Sequence, residues 1–538
     1  MTMPFTEITD AEIDALIKRV QDAVAHQLAL SIEDLQLLLN ALVSLAHLHE
    51  RLAANDITLH KLRKLAGIVQ RSEKLKHLAG DGGEADKPSR RPKRRASTPK
   101  PPTEPVIHHR CKHALVGLAA GVRCPECERG TLYKYAPASF LRITGQTPLE
   151  CTQHLLERLR CNTCGAYFTA PVSPDVEADG ASRQQYGYSA RALMVVHKYF
   201  AGLPFYRQQS LQQVFEAPVS ASTVFDQCEH VANAAQPVVR CLIEQAATAA
   251  HYHLDDTTNR ILNQGPIQKR DRKTGKLKPR SGIYTSGVIA TLAGGELCIL
   301  FQTNIGHAGE WIDEILAPRP ADAPLPILMC DALSRNFPSQ CDYHKTLCNS
   351  HARREFADVI EHFPDKVTWV LEAYGCIWDH EDHCKAHGLS PPKRLAYHRQ
   401  HSLPVMETLR DWGQQQLDSG EVEANSGLGQ AIGYFGRHFE GLTAFCRLEQ
   451  AELDNNAIER TLKLVIRGRK NALFFKTLAG AAVGDVLMSL IATAAAAEIN
   501  VFDYLVVLQR HADAVKANPE QWLPWNYHNT LQVFEKAA

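Results

Sequence analysis

Three carboxylates stand in settings that suit a divalent-metal site. His251-Tyr-His-Leu-Asp255-Asp256-Thr257-Thr258 reads as a strand with an acid at its centre. Alternation puts His251, His253 and Asp255 on one face of that strand and Asp256 on the other. Pro326-Ile-Leu-Met-Cys330 reads as another strand, ending in Asp331. An Asp at the carboxyl end of a strand points into the crevice where ligands bind open α/β sheets. Leu453-Asp454-Asn455-Asn456-Ala457-Ile458-Glu459-Arg460 opens a helix with an Asp or Asn cap, and it places Asn455 and Glu459 on one face. Carboxylate oxygens suit Mg²⁺ or Mn²⁺, which keep waters and leave room for a phosphate. Two such ions can activate a hydroxyl nucleophile and stabilise a leaving 3′-oxygen in phosphoryl transfer. A chain with 59 Asp and Glu also supplies such triples by chance, so pattern alone only nominates them.

A second metal chemistry is written in cysteine. Cys124-Pro-Glu-Cys127 and Cys161-Asn-Thr-Cys164-Gly165 are paired knuckles that can present four thiolates to one structural Zn²⁺, with Gly165 easing the second turn. The long spacing between them requires a small hairpin. The competing reading, a redox pair, accounts for one CxxC at a time. Cys111, His113 and Cys151 are substitute ligands.

The elements that would position these groups follow from the pattern of the chain. Residues 10–78 read helical, with Leu35, Leu38, Leu39, Leu42, Leu45 and Leu48 at three- and four-residue steps. That stripe suits a coiled coil, a helical hairpin, or an amphipathic helix packed on its own domain. Residues 80–105 form a basic linker, either tracking phosphates or serving as a solvated tether. From Tyr206 to His230 a helix, a turn at Ala217-Pro218 and a helix capped near Ser220 outline a helix-turn-helix. Ser222, Thr223 and Gln227 would then face DNA; a plain helical subdomain is the alternative. The run from His251 through Arg260-Ile-Leu, with a carboxylate at its centre, and the run of residues 283–303 suggest an antiparallel pair. Between them the basic insert Lys269–Arg280 is a DNA-contacting hairpin or a flexible loop.

The 538 residues suggest roughly three or four domains. With 45% hydrophobic and 22% charged residues the make-up is that of a soluble globular protein. Lys+Arg 59 against Asp+Glu 59 rules out a uniformly basic nucleic-acid coat but not local basic surfaces. The 15 Cys, with two CxxC pairs, fit a reduced intracellular chain better than a secreted disulfide scaffold. The start MTMPFTEITDAEID turns acidic where a signal peptide would turn apolar. Leu478–Ala497 is long enough to span a bilayer, yet it is Ala-rich with Asp485 mid-span, so a buried helix is expected. The expectation is a cytosolic protein, at the bacterial nucleoid, with no membrane.

At these residues the chain closely resembles the transposases of the IS66 insertion-sequence family. Residues 453–475, LDNNAIERTLKLVIRGRKNALFF, are similar to that family's DNN-x-x-ER…RKN-x-LF signature. Cys348-Asn-Ser-His351-Ala-Arg353-Arg354-Glu-Phe356 resembles its C-x-x-H-x-RR-x-F motif, and Arg71-Ser72-Glu73-Lys74-Leu75 resembles its RSEKL. The order of parts agrees as well, so the resemblance covers almost the whole chain.

The resemblance implies a DDE-type transposase with an α/β, RNase H-like catalytic core carrying a helical insertion domain. Preceding the core would be a helical or coiled-coil region, a zinc ribbon and a helix-turn-helix-like helical domain. The implied organisation is 1–80 leucine-zipper-like, 81–107 linker, 108–175 zinc ribbon, 176–245 helical DNA-binding domain, and 246–354 and 446–510 core. The insertion would fill 355–445 and a tail 511–538. Asp255, Asp331 and Glu459 would bind Mg²⁺ or Mn²⁺. Cys348, His351, Asn455 and Asn456 would support the site; the Cys348–His351 pair alone has too few ligands for zinc. Arg353, Arg354, Arg460, Arg467, Arg469, Lys470 and Asn471 would contact DNA.

The implied partners are terminal inverted repeats, target DNA, a second copy in a homodimer or larger synaptic complex, and small accessory proteins of the same element. The family's D-E-T is here Asp255-Asp256-Thr257, and its D-G-Y is Asp331-Ala332-Leu333. Those departures keep open a catalytically inactive, domesticated DNA-binding regulator, and more weakly a structure-directed nuclease.

Overall fold

The computed structural model describes residues 147–160, 162, 167–181, 184–270 and 276–537, with short pieces at 19–20, 26, 30–32, 34–35, 119–123, 125, 129 and 131–132. The leucine stripe beyond Leu35, the basic linker, the Arg71–Leu75 motif and all four knuckle cysteines (Cys124, Cys127, Cys161, Cys164) lie outside the described residues. So do Cys111 and His113, whereas Cys151 is an exposed free thiol.

Strand β1 (Arg158–Arg160) pairs antiparallel with β2 (Tyr167–Thr169). A helical layer follows: α1 (Pro174–Ala178), α2 (Tyr188–Val195) running into a π-helical turn at Val196–Phe200, α3 (Phe205–Val214) and α4 (Ala221–Ala246). The expected cap of α4 is present, since the Thr223 N–H donates to Ser220 Oγ at 3.1 Å. Gln227 corrects the expectation for that helix. It is buried and accepts from Arg191 Nε at 2.8 Å, so it packs inside the layer instead of facing outward.

The centre of the fold is a five-stranded mixed sheet in the order β7-β6-β3-β8-β9. Its members are β3 (His251–Asn259), β6 (Ile283–Thr291), β7 (Leu297–Asn304), β8 (Ile327–Cys330) and β9 (His344–Leu347). β6 runs antiparallel to both its neighbours, β3 and β7, while β8 pairs parallel with β3 and β9 parallel with β8. Crossovers between parallel neighbours require covering elements, and α5 (Ala308–Leu316) precedes β8. The basic insert forms a hairpin of β4 (Ile267–Arg270) and β5 (Leu277–Arg280), set apart from the main sheet.

Downstream the described chain is almost wholly helical. α6 (Asn349–Ala357), α7 (Pro364–Ala386), α8 (Pro391–His401), α9 (Leu403–Asp418) and α10 (Gly427–Leu442) fill the stretch expected as an insertion. Arg353–Gly375 and Gln414–Gly433 form a compact group apart from the other described residues beyond 118. Within that smaller group Lys366 Nζ pairs with Glu421 Oε2 at 2.9 Å. The remaining elements are α11 (Asn456–Ala472), α12 (Leu478–Ala496), α13 (Val501–Arg510), α14 (Ala512–Ala517) and α15 (Tyr527–Ala537).

α12 is the apolar segment with the mid-span acid, and its polar residues explain its place. Asp485, Ser489 and Thr493 recur every four residues, on one face. They accept from the backbone N–H groups of Thr303 (2.7 Å), Phe301 (2.8 Å) and Ile299 (3.0 Å), alternate residues on the edge strand β7. Thr493 Oγ1 also donates to the Ile299 carbonyl at 3.0 Å. Asp485 belongs to the sheet's hydrogen bonding, within a helix otherwise built for a core.

Burial raises the Asp485 carboxyl to about 7, against the two hydrogen bonds from Thr303. A raised carboxyl favours the protonated folded state. Its contribution is therefore full below the unfolded value of about 4 and is lost as pH climbs through 7, a swing of at most about 4 kcal/mol. Asp485→Asn keeps an acceptor without the charge and should remove this part of the alkaline loss of stability. Asp485→Leu strands the Thr303 N–H and should cost about 1–3 kcal/mol at every pH. Thermal melting of both variants between pH 5 and 8 checks the pair; a parallel pH profile for Asp485→Asn and the parent would refute the assignment.

Candidate active site

β3 is the central strand, and Asp255 sits at its middle, where the full burial of His251–Leu254 gives way to partial exposure. Its register partner on β6 is Gly287. A Cβ on that glycine would lie 2.9 Å from Ile458 Cδ1 and 3.1 Å from Leu462 Cδ2. The missing side chain thus lets α11 lie close to the sheet, carrying Glu459 in beside Ile458. Asp331 follows β8, which is parallel to β3. Asp331 Oδ1 accepts from the Leu333 N–H at 3.2 Å and from Asn336 Nδ2 at 2.8 Å. This Asx-type turn forms without the glycine that the family pattern places there.

The three acids meet electrostatically. Burial first, and then the charges of Asp331, Glu459 and Asp256, push the Asp255 carboxyl up to about 7, against one hydrogen bond from the Asp256 N–H. Asp255 and Asp331 each anchor Oδ1, and among the described residues nothing hydrogen-bonds to either Oδ2. Glu459 Oε1 is buried without a hydrogen-bond partner. Oxygens held in this way suit a hard divalent cation.

Asp256 points the other way and is fully engaged. Its side chain is 2% exposed. Oδ1 accepts from Ser286 Oγ at 2.6 Å and from the Ala308 N–H at 2.9 Å, and Oδ2 lies 2.9 Å from His307 Nδ1. It ties β3 to β6 and to the first turn of α5. Strand alternation separated the two aspartates; the clamp made by Asp256 had no signal in the sequence.

The neighbouring motif residues divide into several roles. Cys348 Sγ accepts the Asn455 N–H at 3.1 Å, and burial raises its thiol to about 11. His351 Nδ1 stands 3.6 Å from Glu459 Oε1, and the ligand atoms of Cys348, His351 and Glu459 lie within 4.8 Å of one another. Asn455 occupies the cap position of α11 but caps nothing with its side chain; of the expected Asp or Asn cap it is Asp454 whose carboxylate takes the first helical N–H, that of Asn456. Its Nδ2 donates to the Leu254 carbonyl at 2.9 Å and its Oδ1 faces His253 Nδ1 at 2.9 Å, so it cross-links α11 to β3. Asp454 Oδ1 accepts the Asn456 N–H at 3.0 Å, and Asn456 Nδ2 reaches Ser350 Oγ at 3.2 Å.

The basic residues assigned to DNA differ in their freedom. Arg469 donates to Thr257 Oγ1 and Thr258 Oγ1, each at 3.0 Å, and to the Thr258 carbonyl, clamping the end of β3. Asn471 Nδ2 donates to the Gly202 carbonyl at 2.9 Å. These two spend donors inside the fold. Arg460, Arg467 and Lys470 are exposed on α11, and the Arg467 guanidinium lies 5.9 Å from the Phe200 ring. Arg354 is exposed on α6, whereas Arg353 is half-buried and has an internal partner.

The Transposase IS66 family matches residues 183–483, more than half of the 538-residue chain and all three acids. The chain belongs to the IS66 transposase family. Three similar proteins come from Sinorhizobium fredii (strain NBRC 101917 / NGR234). Uncharacterized protein y4hP is 25% identical over 393 residues, 69% of this chain and 67% of its own length. Uncharacterized protein y4jD is 31% identical over 188 residues, 34% of this chain and 35% of its own. Uncharacterized protein y4qI is 24% identical over 62% of each. No solved structure matches. For an IS66-family chain the family implies a transposase-type nuclease or transferase, DNA as partner and use of a divalent metal.

Proposed function

We propose that the chain is a DDE-type DNA transposase that binds the terminal inverted repeats of its element, cleaves the DNA strand there and joins the freed 3′-OH to target DNA. One observation carries this reading: Asp255 on β3 is buried beside the charges of Asp331 at the end of β8 and Glu459 on α11, and burial first, then those charges, make it resist ionisation. Such crowding costs stability and persists where a cation is meant to relieve it. The strand order, three antiparallel strands followed by two parallel ones with acids on the first and fourth in chain order, supports an RNase H-like core.

Asp255, Asp331 and Glu459 would hold Mg²⁺ or Mn²⁺. When bound, the ions supply Lewis-acid stabilisation of attacking and leaving oxygens in an in-line displacement at phosphorus. The protein's part is positioning. Asp331 is fixed by its own turn, and Asn455 and Arg469 lock α11, which carries Glu459, to β3. Exposed Arg460, Arg467 and Lys470 on the same helix would supply a basic surface for phosphates. The helical layer before the sheet would read the ends.

A structural Zn²⁺ on Cys124, Cys127, Cys161 and Cys164 is part of the reading. The antiparallel bridge Arg123–Thr131 and the β1–β2 pairing each bracket one knuckle in sequence, as two ribbon hairpins would. Two ends must be held together, so we infer a dimer or larger synaptic complex.

The test uses purified full-length protein, Mg²⁺ or Mn²⁺, and labelled DNA carrying the ends that flank its gene. Metal-dependent nicking and joining are expected, and Asp331→Ala should abolish both. End binding without cleavage, with the element's neighbouring gene products also supplied, would replace this reading with the regulator. Cleavage without joining would replace it with a nuclease.

A further inference from the structure

A second cluster of ligand atoms lies on β3, two residues before Asp255. His251 and His253 share a strand face, with their rings edge to face at 4.7 Å between centroids. Glu452, in the segment leading into α11, brings Oε2 to 3.8 Å from His253 Nε2. The ligand atoms of all three lie within 4.8 Å of one another.

The hydrogen bonds fix which nitrogen carries the proton. Asn455 gives Nδ2 to the Leu254 carbonyl, so the atom facing His253 Nδ1 at 2.9 Å is its carbonyl oxygen, an acceptor only. His253 must therefore donate from Nδ1, and in the neutral ring Nε2 keeps a lone pair directed toward Glu452. Metal-ligating histidines are held in this way, with the far nitrogen given to a carbonyl. His251 Nε2 is buried and has no hydrogen-bond partner, although its side chain is almost fully enclosed. An ion pair between protonated His253 and Glu452 would explain one distance and leave that orphaned nitrogen in place.

We propose that His251 Nε2, His253 Nε2 and the Glu452 carboxylate bind one divalent transition-metal ion, Zn²⁺ in the first instance, separate from the ions of the three acids. Two imidazoles with one carboxylate are a donor set for Zn²⁺, whereas Mg²⁺ prefers oxygen alone. Around a tetrahedral zinc, ligand atoms stand roughly 3.3 Å apart, so small side-chain rotations close the observed cluster. The Glu452 side chain is 53% exposed and gives the ion access to solvent. The nearby cation Arg394 is already matched by buried Glu381, with Nε 2.9 Å from Oε2. Such an ion would pin β3 to the segment that launches α11 and thereby set the spacing of Asp255 and Glu459. That consequence rests on the transposase reading; the binding itself does not.

The test is metal content and cobalt spectroscopy of the full chain. Glu452→Gln, a change at an exposed side chain, and His251→Ala should each lower bound zinc by one ion per chain. Cys124→Ser with Cys127→Ser should remove a different ion. After loading with Co²⁺, visible bands without thiolate charge transfer should be present in the cysteine variant and absent once Glu452→Gln is added. Unchanged zinc content in a folded Glu452→Gln protein, or cobalt bands that survive it, would overturn the site. A protein that binds this ion but never cuts DNA would refute the transposase proposal and leave the site standing.

Discussion

Asp255→Asn should abolish metal-dependent cleavage and joining, by about 10³-fold or more, while DNA-end binding is kept. The magnitude follows from losing a ligand whose ion supplies several kcal/mol of transition-state stabilisation. The same substitution should stabilise the metal-free fold. The Asp255 carboxyl is raised to about 7, so its favourable contribution is complete below an unfolded value of about 4 and disappears as pH rises through 7. At pH 8 Asp255→Asn should therefore outlast the parent on heating, by at most about 4 kcal/mol. Adding Mg²⁺ should stabilise only the parent and narrow the gap, because the ion binds the native acids. Melting curves at pH 5 and 8, with and without Mg²⁺, beside the cleavage assay, test both halves. A variant that still cuts would move the first acid elsewhere.

Asp256→Ala is expected to do the reverse. It removes a buried carboxylate that serves Ser286, Ala308 and His307 at once. Breaking such a pair by deleting one partner costs about 3–5 kcal/mol, because the donors left behind stay buried. A fall in melting temperature of roughly ten degrees is the corresponding signal. At low temperature, where the variant remains folded, metal-dependent cleavage should persist. Calorimetry at pH 7 gives the first quantity, and an unchanged melting temperature would remove Asp256 from the architecture of the site.

These two neighbours show what a sequence can and cannot carry. Strand period assigns Asp255 and Asp256 to opposite faces, and the strands at His251, Ile283 and Ile327, the helix after Asn455 and the helical run after 355 all lie where local pattern puts them. What each opposite face meets is set by residues far away in the chain. His307 lies 51 positions from Asp256, and Asn455 lies 202 from His253. No period or cap rule connects such pairs. Asn455 therefore reads as a helix cap and turns out to be a cross-link, the hold of Arg469 on β3 has no local signal, and Gln227 reads as outward and is buried. Residues whose partners are local, such as Ser220 and Asp331, were legible; those satisfied at long range were not.

The row formed by Asp485, Ser489 and Thr493 works as a vernier. Four helical residues advance about 6.0 Å, and two strand residues about 6.8 Å. The two scales agree at one mark and drift by about 0.8 Å at each next one, so three marks are near the most that can coincide. A slide of α12 by one four-residue step would keep at most two of the three pairings and strand one N–H of β7. The full set therefore fixes one seat for the helix, and β7 has no free N–H at 299, 301 and 303 to offer the strand of another chain. A dimer of the kind proposed would join through surfaces other than these three edge positions.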